Sequence, residues 1–116
     1  MTVALIYKKS AWELFSDSND TNVNSFIVEE ESQRDLLQES DLIQKNTITS
    51  VENTLLANEI AYKKIYRSLL NKYNLTTFDL IITVGGDGTF LEASHHVKDD
   101  TPILGVNSDP ARSVGF

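Results

Sequence analysis

Phe78 to Thr89 reads FDLIITVGGDGT, a nearly uninterrupted apolar run that stops at two glycines. A run of that length, rich in β-branched residues and bounded by turn signals, predicts a central strand buried on both faces. The apolar positions Phe90, Ala93 and Val97 that follow predict a helix opening directly after the glycines. Glycines without a Cβ let a ligand touch the backbone, and the free amides at a helix start point toward negative charge. Strand, Gly85-Gly86-Asp87-Gly88-Thr89 and helix together read as a phosphate cradle. No Gly-Lys-Ser/Thr follows, so it is not a P-loop, and the glycine spacing is not that of the dinucleotide fingerprint.

Outward from this stretch, Thr2 to Tyr7 (TVALIY) predicts a first buried strand, and Ile103 to Val106 (ILGV), after Thr101-Pro102, predicts a strand parallel to the central one. The capping box Thr49-Ser50-Val51-Glu52 predicts a helix start. At 100° per residue, Val51, Leu55, Tyr62, Ile65, Tyr66, Leu69 and Tyr73 share one stripe, with Lys64, Arg67 and Asn71 opposite, so the helix is expected to run on through this region. Asn58 on the stripe, and Leu56 and Ile60 off it, break the pattern. Ser16 to Asn46 is polar and acidic, interrupted only by Phe26-Ile27-Val28, and reads as the least ordered third. The alternation implies an α/β fold, a doubly wound, Rossmann-like parallel sheet whose ligands gather beyond the carboxyl ends of the strands. Function is therefore expected just after Val84 and just after Val106.

The whole chain bounds what that site can be. Its 116 residues suit one domain, and 41% hydrophobic with 23% charged residues suits a globular chain. Seventeen acidic against ten basic residues give a formal charge of -7, which disfavours nucleic acid and anionic membrane surfaces as partners. A nucleotide bound by such a chain needs local backbone donors or a metal. The absence of cysteine excludes disulfides, thiolate catalysis and sulfur-ligated zinc. No export signal or apolar run long enough to span a membrane is visible, and a cytoplasmic location is expected.

Asp87 is the unusual residue of the cradle, because a carboxylate facing phosphates repels them unless it has a task. It can take the proton of an attacking hydroxyl, or help hold the magnesium that neutralises the phosphates. The plain alternative is a tight turn with Asp87 capping the next helix; the doubled glycine, Thr89 and the preceding strand argue against it. Asn107, Ser108 and Asp109 follow the next strand and can offer polar side chains beside the glycines. Arg112 is the one obvious cation nearby, and pairing with a phosphate or with Asp109 are both open to it. His95 and His96 point about 100° apart on a helix and read as surface or half-buried groups, not as joint ligands. Trp12 reads as a packing aromatic, Glu29 to Glu31 as a solvated face, and Lys8 and Lys9 as surface lysines or phosphate helpers.

GGDGT after a hydrophobic strand resembles the signature of the superfamily joining NAD kinases, diacylglycerol and sphingosine kinases, and 6-phosphofructokinases. Phe90-Leu91-Glu92 is similar to the NAD kinase pattern. The segment from Leu104 to Gly115, with Asn107-Ser108-Asp109-Pro110 and then Arg112-Ser113, resembles the mitochondrial type of NAD kinase. Phe116 matches the phenylalanine of a Gly-Phe pair that contacts NAD in that family. The resemblance implies ATP-dependent phosphorylation of NAD at its adenosine 2′-hydroxyl, with magnesium for which no ligand residue is identifiable here. It implies Asp87 as the catalytic residue and Gly85, Gly86, Gly88, Thr89 and Leu91 around the nucleotide. Asn107, Ser108, Asp109, Arg112, Ser113 and Phe116 would hold substrate. It further implies that residues 1–116 are the N-terminal nucleotide-binding domain of a two-domain, homo-oligomeric enzyme whose β-rich second domain is absent, and that the fragment alone is inactive. A lipid or sugar kinase of the same superfamily, or a non-catalytic nucleotide-binding or dimerisation module, are the rival readings.

Overall fold

The computed structural model describes residues 1–9, 31–97 and 99–108. Four parallel strands form one sheet, β1 (Thr2–Tyr7), β2 (Ala61–Tyr66), β3 (Leu80–Gly85) and β4 (Ile103–Asn107), in the order β2-β1-β3-β4. Helix α1 (Glu31–Ala57) links β1 to β2, two short 3-10 turns (Arg67–Lys72 and Leu75–Thr77) lead into β3, and α2 (Asp87–His96) links β3 to β4. The three strands expected from apolar runs are present, and the last lies parallel to the central one, with Ile81 opposite Ile103 and Gly85 opposite Asn107.

Side-chain alternation divides the core into two layers. Ala4, Ile6 and Ile81 face one side of the sheet with Ile65, Leu70, Leu75 and Ala93, so the 3-10 turns and α2 cover that face. Val3, Leu5, Ile82 and Val84 face the other side, where Ile48 and Leu55 of α1 cover them. Helices on both faces make the sheet doubly wound, as expected. A recess of about 290 Å³ remains where α1 falls short of β4, lined by Thr47, Val51, Leu55, Ile82, Leu104 and Val106.

The middle of the chain departs from the sequence reading. Helix α1 begins at Glu31 and passes straight through the capping box, so Thr49 starts no helix. The neighbouring threonines bond back into the preceding turn, Thr47 Oγ1 donating to the Ile43 carbonyl at 2.7 Å and Thr54 Oγ1 to that of Ser50 at 2.9 Å. Half of the segment expected to be least ordered is therefore helix. The helix stops at Ala57 in a Schellman turn: Ile60 N–H bonds the Leu55 carbonyl at 2.9 Å and Glu59 N–H that of Leu56 at 3.1 Å. Glu59 takes the left-handed conformation, φ 55°, where glycine or asparagine is usual. Tyr62, Ile65 and Tyr66, placed by the stripe on a helix, belong to edge strand β2, with Lys63 and Lys64 exposed along it. Trp12, Phe26 to Val28, Glu29 and Glu30 lie outside the described residues.

Candidate functional site

In this strand order the chain leaves β1 in one direction and β3 in the other, and the crevice between their carboxyl ends is the switch point where doubly wound sheets bind ligands. Lys8 and Lys9 follow β1 there, and Gly85 and Gly86 close β3. Lys8 N–H donates to the Val84 carbonyl at 3.4 Å, and Ser108 N–H to the Gly85 carbonyl at 3.1 Å. Asn107 and Ser108 are thus brought beside the glycines as expected, Asn107 in register with Gly85 and Ser108 5% exposed.

Gly85 is required by a close approach. A Cβ on it would stand 2.6 Å from Thr89 Oγ1 and 3.2 Å from Lys8 Cγ. The next residue, Gly86, is the extended N-cap of α2, which opens with Asp87, Gly88 and Thr89 and leaves their backbone amides without helical partners. Gly105 serves α2 from the other side, since a Cβ there would meet the Phe90 ring at 2.8 Å.

Two buried oxygens in this loop lack hydrogen-bond partners among the described residues. Asp87 Oδ1 is one, on a half-buried side chain in the first turn of α2; Thr89 Oγ1 is the other, on a residue 1% exposed. Buried polar atoms are nearly always paired, so each orphan calls for an explanation such as a missing ligand. The helix dipole favours the Asp87 charge at this position, and nothing in the loop neutralises it by a direct bond to Oδ1. Leu91 is 55% exposed on α2, and His95 and His96 lie in its last turn.

Two residues at the site escaped the sequence reading. Gln44 of α1 is 3% exposed, and its Nε2 donates to the Lys8 carbonyl at 2.9 Å and the Val84 carbonyl at 3.3 Å. It ties together the ends of β1 and β3 that form the crevice, from within a polar segment that carries no motif. Replacing it with leucine removes its bonds to the Lys8 carbonyl and to the Val84 carbonyl, which keeps the Lys8 N–H, at a combined cost of about 1–3 kcal/mol. The expected result is a fall in Tm of roughly 5–15 °C for a domain of this size, read by thermal denaturation, and an unchanged Tm would refute the clamp. Arg67, the residue after β2, pairs through Nε with Glu92 Oε2 of α2, and its guanidinium lies 3.6 Å from where a Gly88 Cβ would be. Arg112 is therefore not the one cation to consider: Lys8 and Arg67 both reach the glycine loop. Arg112 itself, with Asp109, Ser113 and Phe116, lies outside the described residues.

Comparison with known proteins agrees with this placement. Residues 5–111 match the family described as ATP-NAD kinase N-terminal domain. An NADH kinase from Arabidopsis thaliana is 42% identical over 71 residues, covering 61% of this chain and 22% of its own length. An NAD kinase from Flavobacterium johnsoniae is 30% identical over 105 residues, covering 90% of this chain and 28% of its own. The mitochondrial NAD kinase 2 of Xenopus tropicalis is 55% identical over 38 residues, 32% of this chain and 9% of its own. Among solved structures, an NAD kinase from Archaeoglobus fulgidus in complex with ATP matches with TM-score 0.46 and 21% identity, covering 92% of this chain and 28% of that one. The chain thus spans less than a third of the length of these relatives. By a match that runs over nearly all of its length, through the glycine loop and the end of β4, the chain belongs to the NAD kinase family.

Proposed function

We propose that residues 1–116 are the N-terminal nucleotide-binding domain of an ATP-dependent NAD kinase, one part of a longer catalytic unit. The observation that carries the reading is Asp87, a carboxylate with one buried, unpartnered oxygen at the start of α2, in a chain of this family. In the reaction, the adenosine 2′-hydroxyl of NAD attacks the γ-phosphorus of ATP and the bond from that phosphorus to the β,γ-bridging oxygen breaks. ADP leaves, and the hydroxyl proton passes to Asp87 as general base. Gly85, Gly86 and Gly88 shape the loop, with Thr89 and Leu91 beside it. Asn107 and Ser108, together with Asp109, Arg112, Ser113 and Phe116, hold substrate. Magnesium is proposed to arrive as the MgATP complex; among the described residues no group of three or more His, Cys, Asp or Glu could hold it.

The small share of each relative that the chain covers supports a second, downstream domain and an inactive isolated fragment, since placing two substrates takes groups from both. A cytoplasmic homo-oligomer completes the proposal; among the described residues no helix is long and apolar enough to cross a membrane.

The test is an assay of the full-length protein with ATP and magnesium, offering NAD, NADH, diacylglycerol or a sugar phosphate in separate arms. NADP formation is expected. The kinship to an NADH kinase makes NADH the second acceptor to compare. Turnover of only the lipid or the sugar phosphate would move the protein to another branch of the superfamily. Nucleotide binding with no turnover in any arm would make it a binding module.

A further inference from the structure

We propose that Arg67 is the cation that binds the nucleotide's phosphate chain at this site, its guanidinium held by Glu92 so that its Nη edge lies over the glycine loop. The proposal rests on the function proposed above and adds a residue to it.

The chain carries a formal charge of -7, so a phosphate chain needs positive charge supplied locally. Arg67 is well placed to supply it. The residue emerges at the carboxyl end of β2, and its side chain crosses to the first turn of α2. Its Nη1 and Nη2 both stand 3.6 Å from the position a Gly88 Cβ would take, so the forked edge straddles the residue whose backbone amide is among the free donors of α2. Its Nε is spent on Glu92 Oε2, one turn further along α2. Arginine offers five N–H donors in a rigid fork that matches a phosphate with two parallel bonds. Anchoring Nε on a carboxylate leaves the Nη pair for that use and fixes its direction. The pair is about one-third exposed, with side-chain values of 36% for Arg67 and 35% for Glu92, so an anion can reach it. The Thr89 hydroxyl, buried and without a partner among the described residues, lies in the same loop and independently points to a missing ligand.

A merely structural role for the pair would be to fasten α2 to the end of β2, and such half-exposed pairs contribute little to stability. The two roles differ in sign. If Arg67 binds phosphate, Arg67→Met weakens binding, whereas Glu92→Gln keeps a side-chain oxygen to accept from Nε, removes a negative charge from the anion's neighbourhood and strengthens binding. If the pair is only a fastener, the two variants act alike.

In the full-length protein, ATP binding is measured by calorimetry, together with Tm and the kcat and KM of NADP formation. Arg67→Met is expected to weaken ATP binding about 10- to 100-fold, as loss of charge-assisted hydrogen bonds does. Arg67→Lys is expected to recover part of that loss, since a point charge cannot span the fork. Glu92→Gln is expected to tighten ATP about two- to fivefold, and all three variants are expected to melt within a few degrees of wild type. ATP binding unchanged in Arg67→Met, or weakened equally in Arg67→Met and Glu92→Gln, would overturn the assignment. Inorganic tripolyphosphate, titrated in parallel, needs no acceptor. Wild-type protein that binds it but makes no NADP defeats the proposed function alone; tripolyphosphate binding weakened about 10-fold or more in Arg67→Met then sustains the assignment, and unchanged binding overturns it. NADP formation with an indifferent Arg67→Met defeats the assignment alone.

Discussion

Asp87→Asn in the full-length protein is expected to lower kcat for NADP formation by about 10²- to 10⁴-fold, the range that a positioned general base supplies. The substitution keeps size and shape but removes the ability to take a proton from the acceptor hydroxyl. Stability is expected to move little. Asparagine forgoes the favourable interaction of a negative charge with the first turn of α2, about 0.3–1 kcal/mol. It also relieves the cost of burying a carboxylate oxygen that has no hydrogen-bond partner among the described residues. The two effects oppose one another, so Tm should stay within a few degrees. Loss of turnover without loss of Tm is the signature of a group kept for chemistry at the expense of packing. A variant that retains a tenth or more of wild-type kcat would show that the proton goes elsewhere.

Gly85→Ala is expected to damage fold and site together. The new methyl would stand 2.6 Å from Thr89 Oγ1, with Lys8 Cγ and Thr89 Cβ each at 3.2 Å. Overpacking of this kind costs about 1–3 kcal/mol, which for a domain of this size lowers Tm by roughly 5–15 °C. To make room, Thr89 or the end of β3 must shift, and either movement displaces the amides of α2. Nucleotide binding should therefore fall as well. Gly88→Ala is the control for stability alone: its methyl would meet the Arg67 guanidinium at 3.6 Å, ordinary contact with the end of a long side chain. Thermal melts of the two variants should separate clearly, and equal Tm values would mean that the loop yields without cost.

Strands β1 and β3 were legible because burial on both faces wrote a continuous apolar run, and β4 because it is a short apolar run as well, although Leu104 is 53% exposed. Thr2 to Tyr7, Leu80 to Val84 and Ile103 to Val106 needed no context beyond their own letters. The glycine loop was legible because its residues meet a local demand, a strand turning tightly into a helix. Helix α1 and strand β2 were not, for three physical reasons. Packing of Ile48, Val51 and Leu55 against the sheet holds a polar helix that begins at Glu31, so the threonine and glutamate of an apparent cap sit mid-helix. The helix then ends at Glu59 with no glycine to mark the stop. Val51 and Leu55, continued by the outward and inward residues of a six-residue strand, imitate the helical period. The error carried into the site. Arg67, read as the polar back of a helix, is the residue that leaves β2 toward Gly88, and Gln44 is set at the crevice by tertiary packing alone.

The register of β1 has a consequence for how the chain comes to be. Both neighbours of β1 are encoded far downstream, Thr2 pairing with Ala61 and Val3 with Leu80. During synthesis, at roughly 5–20 residues per second, this apolar strand waits several seconds before either partner has been made. It leaves the ribosome ahead of both partners with both rows of backbone groups unclaimed, a template for association with other nascent chains. Production of the protein should accordingly depend on chaperones that shield β1 until translation has passed β3.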